Sequence, residues 1–323
     1  MYKQLKDVRN ELKELQDKGF QRGYSIGWSF NDLPITFKLG CTTYVAAAPA
    51  SGKTELIKEI QINLSCIHGL NHVIFTPETG SPTEIFAELC HAYIGKPYLS
   101  GKGSMSQQER HRAEKFVDEH FIIVDPVDED LTITQMYSMV DTIEKDLNKK
   151  IHTTLIDPWN ELTEEYLPED LGREDKYLSR MLGNARKNAR KTNRHHFIVT
   201  HVRDQAMVSQ GEIRYYPPPH AREFAGGQVW FRKGLLMLIP WRPPEGLLND
   251  HNEPYKGNEL HLKVAKSKPK GVSENGTYIL YLDTVKFQYY MLINNQRIYA
   301  DRSQSVEQKS LKPNLDFSDE RGF

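Results

Sequence analysis

Ala47-Ala48-Pro49-Ala50-Ser51-Gly52-Lys53-Thr54, entered from the apolar run Tyr44-Val45-Ala46, is the stretch whose reading decides the fold. A short β-prone run leads into a tight turn of small residues and then a helical pattern (Glu55, Leu56, Ile57, Ile60, Leu64). That is the local setting of a phosphate-binding loop. A triphosphate needs closely spaced backbone N–H groups and a helix N-terminus aimed at it. It also needs an ammonium for the β/γ oxygens and a hydroxyl for Mg²⁺. Ala48, Pro49, Ala50, Ser51 and Gly52 form the cradle, Lys53 brings the ammonium, and Thr54 the magnesium hydroxyl. The first glycine of the common pattern is Ala47 here, so the flanking strand and helix carry the assignment. The cofactors that follow are ATP and Mg²⁺.

Outward from this loop the chain alternates. Strands are expected at 43–47, His72 to Thr76, Phe121 to Asp125, Thr153 to Ile156 and Phe197 to Thr200, with helices at 53–68, 82–95, 106–119, 132–148 and 172–193. Short apolar runs alternating with amphipathic helices mean crossover units and a mostly parallel α/β sheet with helices on both faces. After about residue 234 the pattern changes. Runs at Leu235 to Ile239, Glu259 to Ala265, Thr277 to Leu282 and Lys286 to Leu292, with no long helix between them, predict an antiparallel extension of that sheet.

At 323 residues, with 38% hydrophobic and 26% charged content, the chain can bury a full core and has no run long enough to span a bilayer. Its three cysteines, Cys41, Cys66 and Cys90, lack metal-like spacing, and the odd count argues against a disulfide framework. Together with the absence of a secretory signal at Met1-Tyr2-Lys3-Gln4, this predicts a cytoplasmic setting. The net charge of −1 neither announces nor excludes a nucleic-acid partner, because a ring needs basic groups only along its pore. Residues 1–19 are expected to form a helix striped by Leu5, Val8, Leu12 and Leu15. That helix either packs on its own domain or hooks a neighbouring subunit. Residues 20–300 form the main domain, and the polar segment 301–323 is expected to be disordered.

Three further positions fall at the carboxyl edge of the expected strands, where parallel sheets bind ligands. Asp157 ends the run Thr153-Thr154-Leu155-Ile156 and suits the water shell of Mg²⁺. Glu78 follows strand His72 to Thr76 and suits the base that activates an attacking water, unless it only caps the next helix. His201 ends Phe197 to Thr200, where a polar side chain can touch the γ-phosphate.

In this order, these positions resemble the ATPase domain of DnaB-like replicative helicases, a branch of the RecA fold. Val45 to Thr54 is similar to that family's phosphate loop, which also begins with alanine; Gly23-Tyr24-Ser25-Ile26-Gly27 and Asn31-Asp32-Leu33 resemble its lead-in. The resemblance implies Glu78 as catalytic glutamate, Asp157 as magnesium aspartate and His201 as γ-phosphate sensor, histidine being found there in some bacteriophage members. Ala221-Arg222-Glu223-Phe224-Ala225 resembles the Leu-Arg-Glu-Ser-Gly stretch of the family's DNA-binding loop. It implies DNA contacts at Arg222, Glu223 and Ala225, with Arg222 facing a phosphate and Ala225 offering its backbone N–H. Phe224 is either an apolar plug or a stacking surface for a base. Lys266-Ser267-Lys268 resembles the family's Lys-x-Arg element, with lysine at the arginine-finger position. It implies that Lys268 and Lys266, or Lys270, reach the neighbouring subunit's site.

The function so implied is an ATP-dependent replicative DNA helicase: a ring of six subunits translocating on single-stranded DNA. No collar module precedes the motor, which suggests a bacteriophage origin, and the acidic, aromatic end Leu315 to Phe323 suggests a tail that docks a primase or polymerase. The alternative is a RecA-like strand-exchange or mediator ATPase that forms filaments.

Overall fold

The computed structural model describes residues 2–20, 22–125, 130–203, 205–268 and 270–303. In chain order the helices are α1 (Arg9–Lys18), α2 (Lys53–His68), α3 (Pro82–Ile94), α4 (Gln107–His120), α5 (Ile133–Asp146), α6 (Glu174–Thr192) and α7 (Val229–Lys233). The strands are β1 (Tyr24–Ser25), β2 (Thr36–Phe37), β3 (Thr42–Ala47), β4 (His72–Phe75), β5 (Phe121–Ile123), β6 (Thr153–Ile156) and β7 (His195–His201). They continue as β8 (Val208–Gln210), β9 (Ile213–Tyr215), β10 (Leu236–Trp241), β11 (Glu259–Ser267), β12 (Gly276–Asp283), β13 (Gln288–Ile293) and β14 (Gln296–Tyr299).

Ten of these strands form one sheet in the order β14-β13-β12-β11-β10-β3-β7-β6-β4-β5. From β10 to β5 every pairing is parallel; from β10 outward to β14 every pairing is antiparallel. This corrects one expectation. The run at Leu235 to Ile239 is not the start of the antiparallel extension: β10 lies parallel to β3, with Leu236 opposite Thr43 and Leu238 opposite Val45. All six residues of β10 are buried, as suits a strand covered on both faces.

One core, with α2, α3 and α4, fills one face of the sheet; the other, with α5, α6 and α7, fills the opposite face. Helix α2 looked amphipathic in sequence, yet 11 of its 16 residues are buried, because the extension strands close over its second side. Glu59 on α2 accepts the Tyr289 N–H at 2.7 Å and lies 3.7 Å from Arg302. Helices α3, α4 and α5 each begin with a reciprocal capping box, Ser81/Glu84, Ser106/Glu109 and Thr132/Gln135, which satisfies otherwise orphaned N–H groups.

Helix α1 buries no residue, and Leu12 and Leu15 on its stripe are 43% and 38% exposed. Strand β14 went unread in the sequence; Asn294 and Asn295, at φ 50° and 61°, make the two-residue hairpin turn that returns it onto β13. Between β7 and β10 the chain forms the small β8–β9 hairpin and α7. The tail from 304 onward lies outside the described residues, while Arg302 is tied to Asn63 at 2.8 Å and to the carbonyls of Ala92 and Tyr93 at 3.0 Å.

At the starting edge of the parallel strands, three buried histidines bond to hydroxyls. His72 pairs with Thr153 at 2.6 Å, His195 with Thr43 at 2.8 Å and His196 with Thr154 at 2.8 Å. Burial lowers the pKa of all three, that of His195 from 6.5 to about 4. The unfolded chain therefore binds more protons than the folded one once the pH drops below about 6.5. Stability is complete above that value and is lost as the pH falls toward about 4, the His195 contribution alone being on the order of 3 kcal/mol. The urea midpoint should fall steadily between pH 7 and pH 5, and the fall should be shallower in His195→Gln; a flat wild-type midpoint over that range contradicts the assignment.

Candidate active site

The register of β3 against β7 places Ala47 directly opposite His201, and β6, running parallel, ends toward the same edge at Ile156, opposite Ile198. The phosphate loop therefore leaves the sheet at the same edge as His201 and Asp157. The loop's shape comes from two left-handed residues, Ala50 at φ 56° and Gly52 at φ 78°. Gly52 is required twice over. A Cβ there would adopt a disfavoured φ, and it would lie 2.8 Å from the Tyr289 hydroxyl and 2.9 Å from Arg242 Nη2.

Lys53, the first residue of α2, turns its ammonium back to the carbonyls of Ala47 and Ala48 at 3.2 and 3.3 Å. Burial lowers its pKa, and the carboxylates of Asp157, Glu78 and Glu55 counter that shift. The Thr54 hydroxyl donates to Asp157 Oδ2 at 2.6 Å. Asp157 is only 5% exposed; burial raises its pKa, while Thr54 and Lys53 pull it down.

A hydroxyl and a buried carboxylate in contact make a hard oxygen donor set of the kind Mg²⁺ takes alongside substrate phosphates. Among the described residues no group of three or more His, Cys, Asp or Glu could hold a metal ion unaided. The residues present thus fit a magnesium–triphosphate rather than a dedicated metal cage. The Ser51 hydroxyl in the loop is also buried with no partner among the described residues, an orphan that a phosphate oxygen would satisfy.

Glu78 sits in a single 3₁₀ turn, Pro77–Thr79, after β4. Its Oε1 is 3.6 Å from His201 Nε2, so two positions 123 residues apart in sequence face each other beside the loop. His201 and the two residues after it also pair with the segment expected to bind DNA, residues 221–225. Its carbonyl accepts the Ala225 N–H at 2.9 Å, Val202 bridges to Phe224, and the Arg203 N–H bonds to the Glu223 carbonyl at 2.7 Å.

Here the structure departs from several expectations. The Ala225 N–H is not offered outward: it is held by His201, and the Ala225 carbonyl takes the Trp230 indole N–H at 2.6 Å. The Glu223 carboxylate is spent locally on the His220 N–H at 2.8 Å and Gln205 at 2.9 Å. Phe224 is fully buried at 0% exposure in the core around Trp230, which makes it the apolar plug. Arg222 is exposed and forms no ion pair among the described residues.

Lys266 also departs from expectation. Its ammonium donates to the Phe231 carbonyl and lies 4.7 Å from the centroid of that residue's ring, so it is engaged within its own chain. Lys268 is exposed, and Lys270 is exposed nearby. All three lie at the sheet edge opposite the phosphate loop, since Ser267 pairs with Leu236 at the start of β10.

Two residues escaped the sequence reading. Arg242, directly after β10, and Tyr289 on β13 converge on Gly52 from the side of β3 away from His201, Asp157 and Glu78. The signal for Arg242 was a cation at the carboxyl end of a parallel strand, hidden while β10 counted as part of the extension.

No family model matches the chain. The Twinkle homolog protein, chloroplastic/mitochondrial, of Arabidopsis thaliana is 25% identical over 221 residues, a match covering 66% of this chain and 30% of that protein. Among solved structures, the ATPase domain of G40P superimposes with a TM-score of 0.67 at 14% identity, covering 90% of this chain and 99% of that one. A DnaB-like replicative helicase, solved for its interactions with primase, gives 0.63 at 14% identity, over 90% of this chain and 67% of that one. The chain thus shares the fold of these two ATPase structures, a mostly parallel sheet covered by helices on both faces.

Proposed function

We propose that this chain is the ATPase motor of a replicative DNA helicase, acting as a ring of six subunits on single-stranded DNA. The observation that carries the reading is the continuous path from Thr54–Asp157 through the Glu78–His201 pair to the Ala221–Ala225 segment. Thr54 bonds Asp157, Glu78 stands 3.6 Å from His201, and the His201 carbonyl holds the Ala225 N–H, so groups at the nucleotide edge stand next to the strand that holds the surface loop. One of the solved neighbours is itself a replicative helicase, which favours this reading over the strand-exchange alternative.

In this reading Lys53 and the loop N–H groups hold the triphosphate. Thr54 and Asp157 hold Mg²⁺, which supplies charge neutralisation at the phosphates when bound. Glu78 orients and deprotonates the attacking water, and His201 answers to the γ-phosphate. Loss of that phosphate frees His201 to shift, and its carbonyl carries Ala225, hence Arg222, with it. Arg222 grips the DNA backbone irrespective of base sequence. The exposed leucines of α1 supply a contact for the adjoining subunit. Lys268 reaches the adjoining nucleotide, and the tail 304–323 is left for a primase or polymerase. A cytoplasmic location and a bacteriophage source belong to the same proposal; among the described residues no helix is long and apolar enough to cross a membrane.

Glu78→Gln should bind ATP within about threefold of wild type while phosphate release falls by roughly 10²-fold or more. Near-normal turnover removes Glu78 from the role. Arg222→Ala should leave ATP hydrolysis without DNA unchanged, weaken single-stranded DNA binding, and reduce the slope of log affinity against log salt by about one. An unaltered slope, read by fluorescence anisotropy across a salt series, removes Arg222 from the DNA surface.

A further inference from the structure

Helix α2 carries an acid where packing alone calls for an apolar residue. Leu56, Ile57, Ile60 and Leu64 share one core with Tyr289, yet Glu59 among them is only 3% exposed. Burial pushes its carboxyl pKa up to about 7, against the pull of Arg302 and of the bond from the Tyr289 backbone. A buried charge weakens a fold unless its partners are well placed. Here they are. Tyr289 donates its N–H to Glu59 Oε2 at 2.7 Å, and Arg302 Nη2 stands 3.7 Å from Oε1. Arg302 is itself fixed from other sides. Its Nε donates to Asn63 Oδ1 at 2.8 Å, and its Nη1 to the Ala92 and Tyr93 carbonyls in the last turn of α3.

From this carboxylate Tyr289 runs back along α2 to the phosphate loop. Glu59 lies seven positions after Gly52, about 10 Å along the helix axis. The Tyr289 backbone is held at the Glu59 end, while its hydroxyl stands 2.8 Å from where a Gly52 Cβ would lie. Arg242 comes to the same point from the end of β10. Gly52 sits at φ 78°, directly before Lys53 and Thr54. A brace on Gly52 therefore bears on where both of those side chains start.

We propose that Glu59 is a positioning residue for the triphosphate: by holding the Tyr289 backbone it fixes the phenol that braces Gly52, and with it the loop that receives the phosphates. The inference rests on the nucleotide-binding reading above. Arg302 orients the Glu59 carboxylate, so the same brace is tied to the segment after β14 and to the end of α3. A contact that merely joined α2 to β13 would change stability with no preference for the loop. A brace changes the affinity for ATP.

The test uses the full chain, with binding of ATP and Mg²⁺ read by calorimetry and turnover by phosphate release. Tyr289→Leu should weaken ATP affinity and raise the KM about tenfold, with kcat within about threefold of wild type. Glu59→Leu should show the same split. Glu59→Gln, whose amide oxygen can accept the same N–H, should restore affinity to within about threefold. Combining Glu59→Leu with Tyr289→Leu should again lose about tenfold rather than about a hundredfold, because the two act through one contact. Arg302→Met should weaken affinity about threefold in the wild-type background and leave Tyr289→Leu unchanged. That pair of measurements decides the matter if Glu59→Leu does not fold.

Wild-type affinity in Glu59→Leu, or Glu59→Gln as weak as Glu59→Leu, overturns the proposal. So does a multiplied loss in the double variant, or an equal effect of Arg302→Met with and without the Tyr289 side chain. If wild-type protein binds no ATP, the motor reading itself fails. If wild-type protein binds and hydrolyses ATP and the variants match it, only this inference falls.

Discussion

The parallel pairing of β3 with β7, and of β7 with β6, is the constraint on which the rest of the molecule depends. A parallel sheet presents all its strand ends on one edge, and the 3.3 Å rise per residue makes register decide which side chains meet there. With Ala47 opposite His201 and Leu155 opposite Phe197, the loop 47–54, the Asp157 carboxylate and His201 are brought to one edge of the sheet. A slip of one residue would turn His201 to the other face of the sheet and break its approach to Glu78.

Around that edge the backbone leaves little slack. Helix α2 is held from its open side by Glu59, which binds the β13 backbone at Tyr289 and lies beside Arg302. The same strand presents the Tyr289 phenol to Gly52, so the floor of the phosphate loop is set by the antiparallel extension as well as by β3. On the other flank, His201 holds Ala225 through its carbonyl while Phe224 is locked into the core. A rigid plug beside a hydrogen-bonded hinge suits the transmission of a small displacement, because packed cores shift between discrete arrangements rather than deform smoothly.

The two edges of the sheet differ in charge. The carboxyl edge gathers Glu55, Glu78 and Asp157 around Lys53, whereas at the opposite edge Arg186, Arg190, Lys233 and Lys268 have no carboxylate within 4.0 Å among the described residues, although Arg194 there pairs with Asp141 and Glu144. Such polarity is poorly used in an isolated molecule.

Much of this was legible in the residues. The phosphate loop, the span of α2, strand β6 and the positions of Glu78, Asp157 and His201 follow from local chemistry: small residues for the turn, apolar runs for buried strands, polar groups just past their ends. The sequence could not say that β10 runs parallel to β3, because a run of buried residues reads alike in either direction. Nor could it show that Lys266 is consumed by the Phe231 carbonyl, that the Ala225 N–H is held by His201, or that Arg242 and Tyr289 converge on Gly52. Those are meetings between residues far apart in the chain. What the sequence alone determined was which groups stand at strand ends; which of them touch was decided only when register and strand order brought the ends together.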